Sequence, residues 1–200
     1  LSLWAQLPEH LARSIPSALP INTRSADRTD YILHPETGEK LSDTAQSLLN
    51  DLRTRHVGRY DAQIVISDGL NALAIADQEQ LLPFLAALRA QLQQDGVRLA
   101  PEQLVVTSGR VRAGYRIGET LFGGLTGSRA ILHIIGERPG SGHRTFSVYI
   151  TAPDGALWGT HGKVDHNVTR VVAGIANTAL RPAPAAKEVA RLLRDLRQRG

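Results

Sequence analysis

The sequence predicts an α/β fold, namely a Rossmann-like three-layer domain with a mainly parallel sheet and an irregular or helical N-terminal arm. Near-continuous apolar runs alternate along the chain with stretches whose apolar residues recur at helical spacing. Strands buried on both faces are apolar throughout, whereas helices that cover a sheet are apolar on one stripe. The three clearest strand-like runs cover residues 64–66, 104–106 and 131–135.

The first part of the chain lacks such runs. Three prolines interrupt residues 1–30 among scattered apolar positions, which predicts an irregular arm. Ordered structure is expected to begin near Tyr31. We therefore divide the chain into an N-terminal arm, residues 1–30, and an α/β domain, residues 31–200.

Two helices are predicted between the arm and the second apolar run. Leucines and alanines recur at helical spacing over residues 41–52, and a second stripe of leucines covers residues 81–92. The second helix should begin after Asp77, with Gln80 three residues on as its capping partner. Both stripes should face the core.

The second half of the domain is less regular. Residues 146–150 alternate between apolar and polar, which predicts an antiparallel or peripheral strand. The glycine-rich segment 152–162, which contains Trp158, is predicted to be a surface excursion. Residues 168–175 are rich in β-branched residues and suit either a helix or a strand. A last helix is expected within residues 182–196.

Composition narrows the class of protein. The net charge of +4 comes from basic residues interleaved with acidic ones, and aromatic residues are few, so nucleic acid is not expected as a partner. The chain has no cysteine, which rules out disulfides and thiolate chemistry and fits the cytoplasm. No apolar run is long enough to cross a membrane, and the first residues do not form a signal peptide.

Known catalytic motifs are missing from the sequence. The string at residues 140–145 begins like a dinucleotide fingerprint but lacks the third glycine and precedes a strand. His161, Asp165 and His166 either converge on a metal ion or lie in a solvated loop, and their spacing matches no common site. His133 lies inside a strand-like run and is expected to be a hydrogen-bonded core residue.

The turns that follow the apolar runs are the best candidates for a site. In a parallel sheet the carboxyl ends of the strands share one edge, where ligands bind. The turn at residues 136–140 combines glycines with Pro139 and should be rigid, so it can orient Glu137. The residues alone therefore predict a binding subunit without a complete catalytic constellation.

Several strings carry a resemblance to a known family. The strings are ISDGL at 66–70, GRV at 109–111, IGE at 117–119 and GERPG at 136–140, preceded by an entry into the domain at 31–41. Their order and spacing resemble those of the small subunit of ethanolamine ammonia-lyase, and the likeness covers most of residues 30–195.

The resemblance implies a carbon–nitrogen lyase with two kinds of subunit. The family binds adenosylcobalamin between a large barrel subunit and this small subunit, and it converts ethanolamine to acetaldehyde and ammonia. The large subunit supplies the catalytic side chains, so none is expected here. The implied assembly is a hetero-oligomer, either free in the cytoplasm or within a bacterial microcompartment.

The same resemblance assigns the cofactor-binding residues to Val111, Glu137 and Val171. Glu137 can accept hydrogen bonds from the amides that rim the corrin ring, and the main chain at Val111 offers further partners. Val171 stands where the family has a cysteine. Because the sequence lacks Asp-x-His-x-x-Gly, the resemblance implies that the cofactor keeps its own base on cobalt. The alternative is a structural or scaffolding α/β subunit that binds no cofactor.

Overall fold

The computed structural model of this chain describes residues 2–138 and 144–199. Within these residues six strands form one sheet: β1 (Ala18–Asn22), β2 (Ala62–Ser67), β3 (Leu99–Thr107), β4 (Ala130–Gly136), β5 (Phe146–Thr151) and β6 (Thr169–Ile175). The α-helices are α1 (Leu11–Ser14), α2 (Arg28–Leu33), α3 (Asp43–His56), α4 (Ala72–Ala76), α5 (Gln78–Gln94), α6 (Val111–Phe122), α7 (Gly155–Trp158) and α8 (Pro182–Arg199).

The sheet is mixed, with its parallel part at one side. The strand order is β1-β3-β2-β4-β5-β6, and the first four strands in this order are parallel to their neighbours. Strand β5 runs antiparallel to β4, and β6 runs antiparallel to β5. This arrangement confirms the predicted α/β class with a mainly parallel sheet.

Helices cover both faces of the sheet and give three layers. Alternate residues of β2 face opposite ways, so Ile64 and Ile66 join one core cluster while Val65 joins the other. Helices α5 and α8 pack on the first face, and α3 and α6 pack on the second. Both faces of β2 and β4 are therefore buried, which explains their unbroken apolar sequences.

The expectation that ordered structure begins near Tyr31 is wrong. Residues 18–22 form β1, an edge strand that pairs with β3 from Ala18 opposite Gln103 to Asn22 opposite Thr107. The segment escaped prediction because Pro20 interrupts it, yet an edge strand tolerates proline since one side of its backbone has no partner strand. The division into an arm and a domain otherwise stays a prediction.

Other elements confirm or refine the predictions. Residues 168–175, which suited either a helix or a strand, contain β6. The strand at 146–150 is antiparallel, as predicted, although β6 pairs with its outer edge. Asp77 caps α5 by accepting from Glu79 N at 3.1 Å. Gln80 is not its capping partner, because its buried amide donates instead to the carbonyls of Ala74 (3.1 Å) and Arg144 (2.9 Å).

Trp158 corrects the prediction of a surface excursion. Its side chain is 1 % exposed, and its indole Nε1 donates to the carbonyl of Arg129 at 2.9 Å. The ring lies directly against Gly118 of α6, where any Cβ would overlap it. Glycine-rich composition predicted a loop, but Gly155–Trp158 form α7, and no local pattern could show that the indole fills the space left by a glycine elsewhere.

We predict that Gly118→Ala lowers the free energy of unfolding by about 3 kcal/mol, because overpacking a filled core costs about 1–3 kcal/mol or more. Urea denaturation measures this change. In a Trp158→Leu background the added methyl group has room, so the cost of Gly118→Ala should fall below about 1 kcal/mol. An equal cost in both backgrounds would contradict the contact.

Candidate functional site

A cleft of about 290 Å³ opens where the turns after β2, β3 and β4 meet. We call it the carboxyl-end cleft. Val111, Glu137 and Val171, the three residues assigned from the sequence, all line it. The other lining residues that matter below are Tyr31, Gly69, Arg110, Gly136, Arg138 and Tyr149.

The position of this cleft follows from the topology. The chain leaves β2 through α4 and α5 on one face and reaches β3, and it leaves β3 through α6 on the other face and reaches β4. Because the chain leaves the neighbouring strands β2 and β3 towards opposite faces, a crevice remains at their carboxyl ends, and β4 ends beside it. Ligands of open α/β sheets bind at such a switch point.

A buried carboxylate holds two of the turns together. Asp68, directly after β2, is 1 % exposed and accepts from the backbone amides of Ser108 (3.1 Å) and Gly109 (3.0 Å) in the turn before α6. Its Oδ2 also lies 3.2 Å from Nη1 of buried Arg28. Burial raises the pKa of Asp68 to about 6, against the opposing effect of Arg28 and the two amides.

Arg28 extends this network to the beginning of the chain. Its Nη2 donates to the carbonyl of Gly69 at 3.0 Å, and its Nε donates to the carbonyl of Leu3 at 2.8 Å. Its guanidinium carbon lies 4.5 Å from the ring centroid of Tyr31, a cleft residue. One arginine thus joins the N-terminal segment to the wall of the cleft.

The turn after β4 is held by a close approach of backbones. Leu70 N donates to the carbonyl of Gly136 at 3.2 Å. A Cβ at Gly69 would collide with that carbonyl, and one at Gly136 would collide with the carbonyls of Asp68 and Asn71. Gly69 also has a φ of +55°. Both glycines are therefore required for the turns to meet.

Glu137 is held by three donors. Its Oε1 accepts from Ser147 Oγ and from Gly174 N (3.0 Å), and its Oε2 accepts from Thr145 Oγ1 at 2.6 Å. Burial opposes ionisation, but these hydrogen bonds together outweigh it and lower the pKa of Glu137. A carboxylate has about four acceptor positions, so one remains for a ligand.

The far wall of the cleft is an uncovered part of the sheet. On β6 the exposed side chains Val171 and Ala173 alternate with buried Val172, and Val171 lies opposite half-buried Tyr149 of β5. Val171 is 44 % exposed. This wall is mainly apolar, whereas the wall formed by the turns is polar.

His133 lies beneath the cleft and not in it. The residue is 2 % exposed, and its Nε2 is 2.6 Å from the hydroxyl of buried Ser67. Its Nδ1 faces the first turn of α6, where a Cβ at Gly114 would come within 2.5 Å. Burial lowers the pKa of His133 to about 4. This confirms the prediction of a hydrogen-bonded core histidine.

The structure does not bring the possible metal ligands together. His161 Nδ1 lies 3.0 Å from Glu119 Oε2, whereas His166 Nδ1 lies 3.2 Å from the hydroxyl of Tyr115. Asp165 accepts from Asn167 N, its near neighbour, at 2.8 Å. Across residues 2–138 and 144–199, no three His, Asp or Glu side chains are grouped to hold a metal ion.

Some predictions fall beyond the described residues. The glycine-rich string at 140–145 and the turn residues Pro139 and Gly140 lie wholly or largely there. Over the described part of the chain, no helix combines the length and apolarity needed to cross a membrane.

Sequence reasoning missed the Arg28–Asp68 pair. Asp68 stood in a highlighted turn, and an acid directly after a buried strand is a usable signal for a side chain at the site edge. Arg28 had no such signal, because it lies in a segment predicted to be an irregular arm.

Comparison with known proteins identifies the family. A family model described as ethanolamine ammonia-lyase light chain (EutC) matches residues 3–200. The chain belongs to this family. It is 34 % identical over 166 residues to the ethanolamine ammonia-lyase small subunit of Pseudomonas syringae pv. tomato, which covers 82 % of this chain and 55 % of the relative. The small subunit of Pseudomonas fluorescens strain Pf0-1 is 37 % identical over 151 residues, 75 % of this chain and 51 % of the relative.

The small subunit of Azotobacter vinelandii is a third relative, 36 % identical over 148 residues, or 74 % of this chain and 52 % of its own length. This light-chain family member thus spans about half the length of these curated relatives. The matched part includes the whole carboxyl-end cleft, because the family model covers residues 3–200.

We predict that Asp68→Asn lowers the free energy of unfolding at pH 7 by about 3–5 kcal/mol, because it leaves buried Arg28 without its counter-ion. The NH2 group of the new side chain would also face N–H groups that now donate hydrogen bonds to the carboxylate. Urea denaturation measures the loss. Asp195→Asn is the matched control, since the exposed pair of Asp195 with Arg191 should contribute less than about 1 kcal/mol. Equal effects of the two variants would contradict the proposed clamp.

A second prediction concerns pH and His133. The pKa in the folded state is about 4, below the ordinary value of about 6.5, so the unfolded chain binds the proton more readily between these values. The contribution of neutral His133 to the free energy of unfolding is fully present above about pH 6.5. It falls by up to about 3 kcal/mol as the pH drops towards 4. Urea denaturation of wild type and His133→Gln across this range should show the extra slope in wild type only; parallel curves would oppose it.

Proposed function

We propose that this chain is the cobalamin-binding small subunit of an adenosylcobalamin-dependent ethanolamine ammonia-lyase. In this proposal it holds the cofactor at an interface with a large barrel subunit, which supplies the catalytic side chains for converting ethanolamine to acetaldehyde and ammonia. The observation that carries the proposal is the meeting of Val111, Glu137 and Val171 at one cleft. Val111 and Val171 are 60 positions apart in the sequence, and the three residues come from α6, the turn after β4 and β6.

The size of the cleft supports a shared site. A volume of about 290 Å³ lies at the small end of ligand pockets, which range over roughly 300–1,000 Å³ for drug-sized molecules. Adenosylcobalamin is much larger than such molecules. The cleft can therefore hold one part of the cofactor and leaves the rest for the large subunit of the proposed hetero-oligomer.

The chemistry of the walls fits the rim of a corrin ring. Glu137 stays ionised and has one acceptor position left for an amide N–H of the ring. Val171 and Ala173 offer apolar contact, and half-buried Tyr149 lies beside them. The main chain at Val111 begins α6 at the opposite wall. The residues present thus suit a large ligand that carries both amide and hydrocarbon groups.

The role of this chain in the reaction would be binding and orientation. Adenosylcobalamin, when bound, supplies the radical chemistry. Ser67 and His133, which form a short hydrogen bond, are both buried and cannot reach a substrate. Since the sequence has no Asp-x-His-x-x-Gly motif, we propose that the cofactor is bound with its own base on cobalt. Free cytoplasm and a bacterial microcompartment are the two locations consistent with this role.

One observation favours the alternative of a scaffolding subunit without cofactor. Glu137 joins β4 to β5 and β6 through Thr145, Ser147 and Gly174, so its carboxylate has a structural function even without a ligand. The two functions make different demands on Glu137. A structural carboxylate needs only its internal donors, whereas a binding carboxylate also needs its remaining acceptor position.

We predict that Glu137→Ala weakens retention of adenosylcobalamin about tenfold or more in the complex with the large subunit, since hydrogen bonds to a charged group contribute about 1.5–3 kcal/mol. Visible absorption of the purified complex measures retained cofactor, and ethanolamine-dependent ammonia release measures activity. Thr145→Val is the matched control, because it removes one internal donor but keeps the carboxylate.

The control separates the two functions of Glu137. Thr145→Val should reduce stability by about 1 kcal/mol and leave cofactor retention near wild type. If Glu137→Ala retains cofactor as well as wild type, the assigned contact is wrong. A wild-type complex that assembles but takes up no cobalamin would instead establish the scaffolding alternative.

A further inference from the structure

The carboxyl-end cleft carries excess positive charge. Two guanidinium groups, Arg110 and Arg138, line it together with one carboxylate, Glu137. Among residues 2–138 and 144–199, neither arginine has a carboxylate within 4 Å, whereas Arg28, Arg98 and Arg129 near the sheet each have one. The cleft therefore contains two cationic groups that no neighbouring carboxylate of the described residues pairs with.

Arg110 is held rigidly in the wall. Its Nη2 donates to the carbonyl of Tyr31 at 2.8 Å, and its guanidinium carbon lies 4.5 Å from the centroid of the Tyr31 ring. Its backbone amide donates to the carbonyl of Gly38 at 2.9 Å. The Nε of Arg110 is buried and has no hydrogen-bond partner. A guanidinium fixed in this way loses little conformational entropy when it binds a ligand.

The nearby protein groups do not neutralise this charge. Arg110 precedes α6 as its N-cap, where the helix dipole is positive, and the first turn of α6 contains no acidic residue. Asp68 is committed to Arg28 and to two backbone amides. Glu137 is surrounded by three donors of its own. A positive group at the positive end of a helix favours an anion as its ligand.

We propose that Arg110 and Arg138 bind the phosphodiester of the cofactor's nucleotide loop, so that the carboxyl-end cleft receives this loop together with the adjoining edge of the corrin ring. This inference rests on the proposed function and specifies which part of the ligand the cleft holds. Cobalamin carries many neutral amides around its ring but one phosphodiester. Arginine suits this group because its planar fork matches two phosphate oxygens.

The two arginines differ in their contributions. Arg110 is half-buried and fixed by Tyr31, so it sets the position of the anion. Arg138 is exposed beside Glu137 and contacts the ligand from the turn after β4. Glu137 would then accept from a ring amide while its neighbour in sequence contacts the phosphate. Two adjacent residues of one turn thus contact a hydrogen-bond donor and an anionic group of the same molecule.

The experiment compares two cofactors in the complex of this chain with the large subunit. Adenosylcobinamide lacks the nucleotide loop and its phosphodiester, whereas adenosylcobalamin has both. Arg138→Gln should raise the Kd for adenosylcobalamin about tenfold and leave the Kd for adenosylcobinamide within about twofold. Inorganic phosphate should weaken the binding of adenosylcobalamin to wild type but not that of adenosylcobinamide.

Two further variants keep the test specific. Arg170→Gln removes an equal charge from β6 next to Val171 without touching the cleft, and it should leave both Kd values unchanged. Arg110→Lys keeps the charge but loses the planar fork, and it should again weaken only the binding of adenosylcobalamin. Circular dichroism and the free energy of unfolding verify that each variant is folded.

The outcomes separate this inference from the proposed function. Loss confined to adenosylcobalamin supports the phosphodiester site. An equal loss for both cofactors, no loss for either, or the same loss in Arg170→Gln would overturn it while leaving the cobalamin-binding role intact. A wild-type complex that binds neither cofactor would overturn the proposed function itself.

Discussion

The buried ion pair of Asp68 with Arg28 is the interaction on which the site depends. The carboxyl ends of parallel strands lie at one edge of the sheet, but the strands do not determine how the turns beyond those ends pack together. Asp68 does so by accepting from two amides of the neighbouring turn, and Arg28 neutralises the buried charge. Because burial of an unpaired carboxylate is costly, the turns and the N-terminal segment are ordered together.

The cleft that results has the properties of part of a site. Its volume is small for the proposed cofactor, one wall is an uncovered stretch of β5 and β6, and its charged residues come from two turns. Glu137 combines two functions, since its internal donors both fasten the strands and keep it ionised. In the proposed function, a subunit built in this way positions a shared cofactor and supplies no catalytic side chain.

Close packing of other groups against glycines explains several features that are misinterpreted from composition alone. Gly69 and Gly136 let two turns touch through their backbones, and Gly118 leaves the space that the indole of Trp158 fills. In the sequence, Gly69 and Gly136 indicated turns, and Gly118 appeared only in the string IGE of the family resemblance. A glycine's packing partner can lie far along the chain, as Trp158 does from Gly118, and no local pattern reveals it.

The sequence by itself determined the α/β class, strands β2 to β5, helices α3, α5 and α8, the core position of His133 and, through the family resemblance, three residues that line one cleft. These features follow from local periodicity, from the shared direction of parallel strands and from a family resemblance. Only the tertiary structure decided that Pro20 lies in an edge strand, that β6 is a strand and that Arg28 reaches Asp68. Such features depend on contacts between distant residues, whose free energies no local sequence pattern encodes.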